Sequence, residues 1–128
     1  MKRLTRVFSL GPVGVIASDA QFAPCRAECA AWRPPIDIFE RLDGIVIVVE
    51  LPGVDKEHIN VSVEQGILSI TGFRRKYIPK NTQRVHQMEI PDGPFERLIQ
   101  LPERLDADHI EAEYREDSLT IQIPNKES

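Results

Sequence analysis

The feature that most constrains the fold is a series of short segments in which apolar and polar residues alternate. A period of two places successive side chains on opposite faces of an extended strand, so each segment presents one apolar face. Gly, Pro and Asp separate the segments, as they do between antiparallel strands. The alternating segments are 59–64, 67–73, 95–101, 110–114 and 118–123. The β-branched run 45–51 has the composition of a strand that is buried on both faces. The pattern predicts an all-β fold, a two-sheet antiparallel β-sandwich of the immunoglobulin-like kind.

The sequence also repeats itself once, with an offset of 51 residues that matches Asp55 with Asp106. "LPGVDKEHINVSVEQGILSI" resembles "LPERLDADHIEAEYREDSLTI", so each copy reads as Leu-Pro, an acidic turn and a β-hairpin. Gly66 of the first hairpin corresponds to Asp117 of the second, and both residue types tolerate a left-handed backbone. We therefore expect the same turn in both hairpins, and we expect the hairpins to pack face to face.

Pro34 and Pro35 separate this β-rich part from an N-terminal arm, residues 1–33, which has no sustained period. The arm carries five Lys/Arg and two Asp/Glu residues, whereas the rest of the chain carries 11 basic and 18 acidic ones. We expect a loosely ordered apolar and basic arm with a short helix at 25–32, a sandwich of residues 34–124 and a short tail of residues 125–128. The net charge of -4 argues against nucleic acid as the partner.

The start of the chain loosely resembles a secretory signal, because basic residues precede the apolar stretch "VFSLGPVGVIA". Ser, Gly and Pro interrupt that stretch, so we expect a cytoplasmic protein, with periplasmic export as the alternative. No apolar run approaches the ~20 residues that a membrane span needs.

Motifs of catalysis or cofactor binding are missing from the sequence. The glycines form neither a phosphate-binding loop nor a dinucleotide fingerprint, and neither G-x-S-x-G nor H-E-x-x-H occurs. Cys25 and Cys29 lie four residues apart and would share a helix face, as a redox pair or half of a metal site would. Since a metal pattern needs more ligands, we expect incidental thiols. We predict no catalytic residues, no metal and no cofactor, and hence no enzyme.

His58 and His109 occupy equivalent places in the repeat, each just before a strand. A pair of pH-sensing histidines is one interpretation. We expect solvated strand-entry residues instead, because no constellation of carboxylates or metal ligands is evident around them.

Binding remains as the function class that the residues favour. A long polar excursion, residues 74–93, interrupts the β-rich part and includes the alternating run 84–90. Loops of this length in small domains are usually functional or disordered. Together with the apolar arm, the excursion indicates an assembly or interaction protein.

Residues 35–124 resemble the α-crystallin domain of the small heat-shock proteins of bacterial type. "VVELPGVDKEHINVSVEQGILSITG" follows the family's x-x-LPGv-k-e-d-I-x-V-x-v-e-x-x-x-L-x-I-x-G, and "GPFERLIQLPERLDADHIEA" follows G-x-F-x-R-x-x-x-LP-x-x-v-d-x-x-x-I-x-A. Arg97 takes the family's arginine position. The signature A-x-x-x-n-G-v-L falls on residues 112–119, where Asp117 and Ser118 stand in place of Gly and Val.

The resemblance implies an ATP-independent chaperone, or holdase, whose partners are unfolded or partly folded client proteins. Clients expose apolar surface, which a holdase can cover at about 25 cal/mol per Å². The expected client contacts on the arm are Val7, Phe8, Leu10, Val13, Val15, Ile16, Phe22 and Trp32. A CS-domain-like interaction module or co-chaperone that binds one folded partner is the alternative.

The resemblance also implies a homodimer, in which the excursion of one chain pairs with the opening strand of the other. The expected interface residues are Ile36, Ile38, Arg84, Val85, Gln87, Met88 and Arg97, with Arg97 in an ion pair with a carboxylate. A plain surface loop is the alternative for residues 84–89.

The family's C-terminal I-x-I anchor docks into a groove on a neighbouring domain. The repeat assigns Ile121 and Ile123 to the last strand of the sandwich, so we expect a tail that lacks this anchor. We expect an uncovered groove that accepts clients or the tail of a co-assembling family member. Its residues are Ile59, Val61, Val63, Ile110, Ala112 and Tyr114.

Overall fold

The computed structural model describes residues 3–4, 7–9 and 32–127, and for residues 3–9 it describes the backbone pairing only. The described strands are β1 (Arg3–Leu4), β2 (Val7–Ser9), β3 (Ile36–Arg41), β4 (Gly44–Glu50), β5 (Ile59–Glu64), β6 (Ile67–Arg74), β7 (Gly93–Gln100), β8 (Glu111–Arg115) and β9 (Ser118–Pro124). Two 3₁₀ turns, Lys56–His58 and Ala107–His109, precede β5 and β8. The predicted strands occur within one or two residues of the expected positions.

Two sheets contain the described strands, in the orders β1-β8-β9-β4-β3 and β2-β5-β6-β7. Neighbouring strands are antiparallel except for β2, which runs parallel to β5. The two hairpins of the repeat, β5–β6 and β8–β9, lie in different sheets, as expected for hairpins that face each other. The predicted all-β sandwich is confirmed.

The core lies between the sheets, because the apolar residues of the alternating segments point inward. Ile47, Val61, Ile70, Leu119 and Ile121 have essentially no exposed surface. Burying one such side chain stabilises the fold by about 1.5–3 kcal/mol.

The central strand β4 differs from the prediction of a strand buried on both faces. Ile45, Ile47 and Val49 are buried, whereas Val46 and Val48 are half-buried. Val46 and Val48 lie on the outer face of the sheet, where neighbouring strands shield them only from the sides.

The two hairpins use the same turn, as the repeat predicts. Gln65 and Gly66 have φ of 51° and 78°, and Glu116 and Asp117 have φ of 53° and 67°. Positive φ at both central residues is characteristic of a type I′ turn, whose twist matches that of the paired strands. The register therefore places the inward-facing residues of each hairpin opposite one another.

The excursion joins the end of β6 to the start of β7 and forms no strand within this chain. Its side chains from Tyr77 to Pro91 are all exposed. In the described part of the chain, no helix is long and apolar enough to cross a membrane.

Candidate interaction surfaces

Among the described strands, β3 is the edge of the five-stranded sheet and pairs with β4 alone. An unpaired edge presents backbone donors and acceptors that can accept a further strand. Ile38 and Phe39 lie on opposite faces of β3 and are 49% and 53% exposed. Asp37 and Glu40 are also exposed, so this edge is apolar and acidic.

The excursion carries a second set of exposed apolar side chains on a basic background. The large apolar residues on it are Tyr77, Ile78, Val85, Met88 and Ile90. They help to line an open hollow of about 500 Å³ within the excursion. Since a soluble chain rarely exposes so many apolar groups together, the excursion has the composition of a contact surface.

Arg97 lies on the inward-facing side of β7, opposite Ile70 in the register. Its Nη1 donates to Pro34 O at 3.0 Å, and its inaccessible Nε has no hydrogen-bond partner among the residues that the structure describes. Burial, and then the nearby Arg33, lower the pKa of Arg97, although a guanidinium stays charged at neutral pH. The expected ion pair is absent from the described residues of one chain, because the guanidinium is held by a backbone carbonyl.

The groove residues lie along β5 and β8, but the structure does not leave their edges open. Ile59, Val61, Val63, Ile110 and Ala112 are core residues less than 9% exposed, and Tyr114 is half-buried. β2 pairs with β5 through Val7–Val61, and β1 pairs with β8 through Leu4–Ala112. The chain's own N-terminal strands thus pair with both edges of the groove, which the sequence did not predict. The role of these residues in binding clients or a tail stays a prediction.

The expected client-contact residues are only partly described. Val7 and Phe8 belong to β2. Trp32 is half-buried and packs edge-to-face on Phe95, with ring centroids 5.4 Å apart. Leu10, Val13, Val15, Ile16 and Phe22 lie outside the described residues, as do Cys25, Cys29 and most of the predicted short helix. The role of these residues in client binding stays a prediction.

Arg74 is a residue that the sequence interpretation missed. It ends β6, is 8% exposed, and donates to Pro52 O and Pro91 O at 2.9 Å each. Its Cζ also lies 4.3 Å from the centre of the Trp32 ring, a cation–π arrangement. Nothing in the sequence distinguishes Arg74 from the two basic residues that follow it, the exposed Arg75 and the half-buried Lys76.

The Leu51–Val54 turn is held by the second hairpin of the repeat. Tyr114 OH donates to Leu51 O at 2.6 Å, and Leu51 N donates to Asp117 O at 2.9 Å. Burial raises the pKa of the Tyr114 phenol, and the negative charges of Asp117 and Asp55 add to the effect. The turn is therefore fixed to the β8–β9 hairpin, whose own turn lies beside the end of β4 in the same sheet.

Each histidine of the repeat has a carboxylate partner three residues earlier. His109 Nδ1 lies 2.7 Å from Asp106 Oδ2, and His58 Nδ1 lies 3.8 Å from Asp55 Oδ2. The sequence showed no constellation of carboxylates around these histidines, and the structure adds one partner to each, because the 3₁₀ turns bring positions i and i+3 together. The Asp-x-x-His spacing, present twice, was the available signal.

Within the described residues, no three His, Cys, Asp or Glu side chains are placed to hold a metal ion. The surfaces offer strand pairing at β3, apolar contact on the excursion and the half-buried Arg97, whose Nε donor has no partner among the described residues.

Comparison with known proteins places this arrangement in a known group. The model of the Hsp20/alpha crystallin family matches residues 37–128. Small heat shock protein C4 of Rickettsia felis is 35% identical over 94 residues, which are 73% of this chain and 58% of that protein. Heat shock protein 16 of Schizosaccharomyces pombe is 37% identical over 98 residues, 73% of this chain and 67% of that protein. The chain thus aligns with about three fifths to two thirds of these relatives' lengths.

Solved structures agree with the sequence comparison. HspA from Xanthomonas axonopodis superposes with a TM-score of 0.68 at 39% identity, over 76% of this chain and 97% of that one. A small heat-shock protein from Xylella fastidiosa, described as having a distinct high order structure, gives a TM-score of 0.71 at 36% identity. That match covers 77% of this chain and 91% of the other.

Proposed function

Since the chain belongs to the Hsp20/alpha crystallin family, we propose that it is an ATP-independent holdase that binds non-native proteins in the cytoplasm and prevents their aggregation. The observation that carries the proposal is the concentration of exposed apolar side chains on two parts of the chain, β3 with its following loop and the excursion. These are Ile38, Phe39, Leu42, Tyr77, Ile78, Val85, Met88 and Ile90. Unfolded chains expose apolar surface that such side chains can cover.

The working unit that we propose is a homodimer in which residues 84–89 pair with β3 of a second copy. β3 has a free edge, and the excursion has no strand partner in its own chain. Arg84 would approach the acidic residues Asp37 and Glu40, which makes the charges complementary. Pairing would also bury part of Ile38, Val85 and Met88, each of which is about half exposed in one chain.

The free donor of Arg97 supports the same interface. Arg97 is half-buried, and its inaccessible Nε atom has no hydrogen-bond partner among the described residues, which is costly unless an acceptor is supplied. We propose that a carboxylate of the partner chain supplies it, as the ion pair expected from the resemblance.

We propose that the groove residues form a site at which the chain's own N-terminal strands can be exchanged for another segment. β1 and β2 are only two and three residues long, so few hydrogen bonds hold them to β8 and β5. An extended segment of a client, or the tail of a co-assembling family member, could replace them by pairing with the same edges. Such replacement would also release the arm residues Val7 and Phe8 for client contact.

A light-scattering assay tests the holdase proposal. A heat-labile enzyme is heated without ATP, with and without this protein at near-equal subunit ratios, and suppressed scattering is the expected result. A folded protein of equal size without exposed apolar segments serves as the control. Unsuppressed scattering by a chain that circular dichroism shows to be folded would contradict the proposal, and capture of one stoichiometric folded partner would favour the CS-domain-like alternative.

Deletion of residues 1–31 tests the role of the arm. The deletion stops before Trp32 because that side chain packs on Phe95. We expect weaker suppression of scattering with an unchanged unfolding transition of the sandwich. Full suppression by the shortened chain would remove the arm from the client-binding surface.

A further inference from the structure

Three parts of the chain meet at Arg74. Its side chain is 8% exposed, and its guanidinium donates to Pro52 O and to Pro91 O. A second bond to Pro91 O comes from Nη2. Pro52 belongs to the turn after β4, and Pro91 belongs to the returning end of the excursion. Arg74 itself begins the excursion, so this one side chain ties both ends of the excursion to the sandwich.

Trp32 lies against the other side of the same guanidinium. Arg74 Cζ is 4.3 Å from the centre of the indole, and indole Nε1 donates to Gly93 O at 3.1 Å. The backbone N of Trp32 also donates to Pro94 O at 3.4 Å, and its ring packs edge-to-face on Phe95. Trp32 therefore holds the start of β7, two residues beyond the carbonyl that Arg74 holds.

The position of Trp32 in the chain determines which two segments these contacts connect. It is the point at which the N-terminal arm joins the sandwich, since β3 begins four residues later at Ile36. The returning end of the excursion is thus held on one side by Arg74 and on the other by the last part of the arm. A shift of either the arm at Trp32 or the excursion at Pro91 must strain or break contacts to Arg74.

We infer that Arg74 and Trp32 form a clasp that couples the N-terminal arm to the excursion, so that loosening one loosens the other. In terms of the proposed function, on which this inference rests, Arg74 and Trp32 are positioning residues. They set the direction in which the excursion extends towards the partner chain. When the excursion is released from that chain, they transmit the change to the arm, which contacts clients. The two activities of the protein, exchange of subunits and exposure of the arm, then share one control point.

A second contact between the two ends of the excursion provides a discriminating control. Lys76 Nζ donates to Ile90 O at 2.9 Å and lies 4.0 Å from Asp92. Lys76 therefore also joins the two ends of the excursion. The contacts that define the clasp are those of Arg74 and Trp32, and Lys76 makes none of them. Arg75, exposed and one residue from Arg74, matches its charge without its contacts.

The test uses full-length chains with Arg74→Met, Arg74→Lys, Lys76→Met and Arg75→Met. Trp32 is the only tryptophan, so its emission and its quenching by acrylamide report on the clasp directly. Subunit exchange between isotopically labelled and unlabelled chains is followed by native mass spectrometry. Arg74→Met should make Trp32 more accessible to quencher and speed exchange by about tenfold. Arg74→Lys should give an intermediate result, because lysine keeps the cation but loses the planar fork.

Lys76→Met should speed subunit exchange with little change in the quenching of Trp32 by acrylamide. Arg75→Met should change neither the exchange rate nor the quenching. The coupling itself is tested with the double variant of Trp32→Phe and Arg74→Met. Its increase in exchange rate should be clearly smaller than the product of the increases that the two single variants show. Multiplicative effects, or a quenching constant in Arg74→Met equal to that of Arg75→Met in folded chains, would overturn the inference. If the wild-type chain fails to dimerise or to hold clients, the proposed function fails, whereas the Trp32 quenching comparison still decides on the clasp.

Discussion

Gly66 and Asp117 adopt the same left-handed backbone, with φ of 78° and 67°, in two hairpins that the sequence offsets by 51 residues. Glycine adopts this conformation without steric cost, whereas a residue with a Cβ does not. Asp117 compensates in part through its side chain, whose Oδ1 accepts from Gly53 N at 3.4 Å. The two turns therefore have the same backbone shape but contribute differently to the free energy of unfolding.

The substitutions Gly66→Ala and Asp117→Gly should change the free energy of unfolding in opposite directions. A Cβ at position 66 would be 4.0 Å from Leu101 O, so strain alone should cost about 1 kcal/mol. Glycine at position 117 should stabilise by roughly 0.5 kcal/mol, because the relieved strain exceeds a long, exposed hydrogen bond. Urea unfolding of both variants checks the signs. Shifts in the same direction would mean that the side-chain contact of Asp117, and not its backbone, controls this turn.

Gly72→Ala should be among the most destabilising single-methyl changes in the sandwich. A Cβ there would lie 2.2 Å from His58 O and 2.4 Å from Phe95 Cζ, so the backbone of β5 or the Phe95 ring must move. Overpacking of this kind costs about 1–3 kcal/mol. Thr71→Ala, one residue away, is the matched control. Urea midpoints give the comparison, and equal midpoints for the two variants would contradict the close approach.

Much of this fold was predictable from local periodicity, because strand identity depends on neighbouring residues. Strands β5 to β9 follow the alternation of apolar residues, and β4 follows from its β-branched run. The repeat predicts the turn at Asp117 although that position lacks glycine. The excursion was recognised as an irregular segment for the same reason, since its composition departs from that of the strands around it.

The remaining features depend on contacts between residues far apart in the sequence. Arg74 is buried because Pro52, Pro91 and Trp32 converge on it, and no pattern within "RRKY" records that convergence. The pairing of β1 and β2 with the groove edges was missed because a three-residue segment such as "VFS" has no period to read. Interpretation of the sequence alone therefore identified the strands and the excursion, and missed the long-range contacts that cover the groove edges and orient the excursion.

Tyr114→Phe should lower the free energy of unfolding by about 1 kcal/mol at neutral pH, since the hydrogen bond to Leu51 O is lost. The pKa of Tyr114 is raised in the folded chain, mainly by burial. The wild type should therefore lose stability as pH rises from the ordinary phenol pKa of about 10 through the higher folded value. The variant should lack this loss. Urea midpoints measured at pH 7 to 11 test it, and parallel curves for the two proteins would contradict the assignment.

Asp106→Ala should weaken the fold at neutral pH and matter less in acid. The pKa of Asp106 is lowered, first by the hydrogen bond from Asp108 N and also by His109 and Lys126. A lowered folded pKa contributes stability above the unfolded value of about 3.9, and the contribution is lost as pH falls through the folded pKa. Urea midpoints of wild type and variant should therefore converge towards pH 3. Asp108→Ala is the control, because its backbone amide still donates to Asp106.

The double substitution Val85→Glu with Met88→Glu should shift the chain from dimer to monomer. It places two carboxylates in the segment that would approach Asp37 and Glu40 of a second copy, so like charges replace apolar contact. Both positions are about half exposed, and the sandwich itself should remain intact. Light scattering after size-exclusion chromatography measures the mass at several concentrations. Tyr77→Glu, an apolar-to-acidic change at an 81% exposed position of the same excursion, should stay dimeric. An unchanged mass for the double variant would move the interface elsewhere.

Because β3 pairs on one side only among the described strands, the concentration of the chain should determine whether the other edge of β3 is filled. In the dimer that we propose, a second copy fills the edge of β3, so by mass action this edge would be filled at high concentration and open at low concentration. Asp37 and Glu40 on a strand of six residues limit pairing with indiscriminate partners, as charged and short edge strands do in other proteins. Dilution, rather than a ligand, is then the simplest signal that changes which surface this molecule presents.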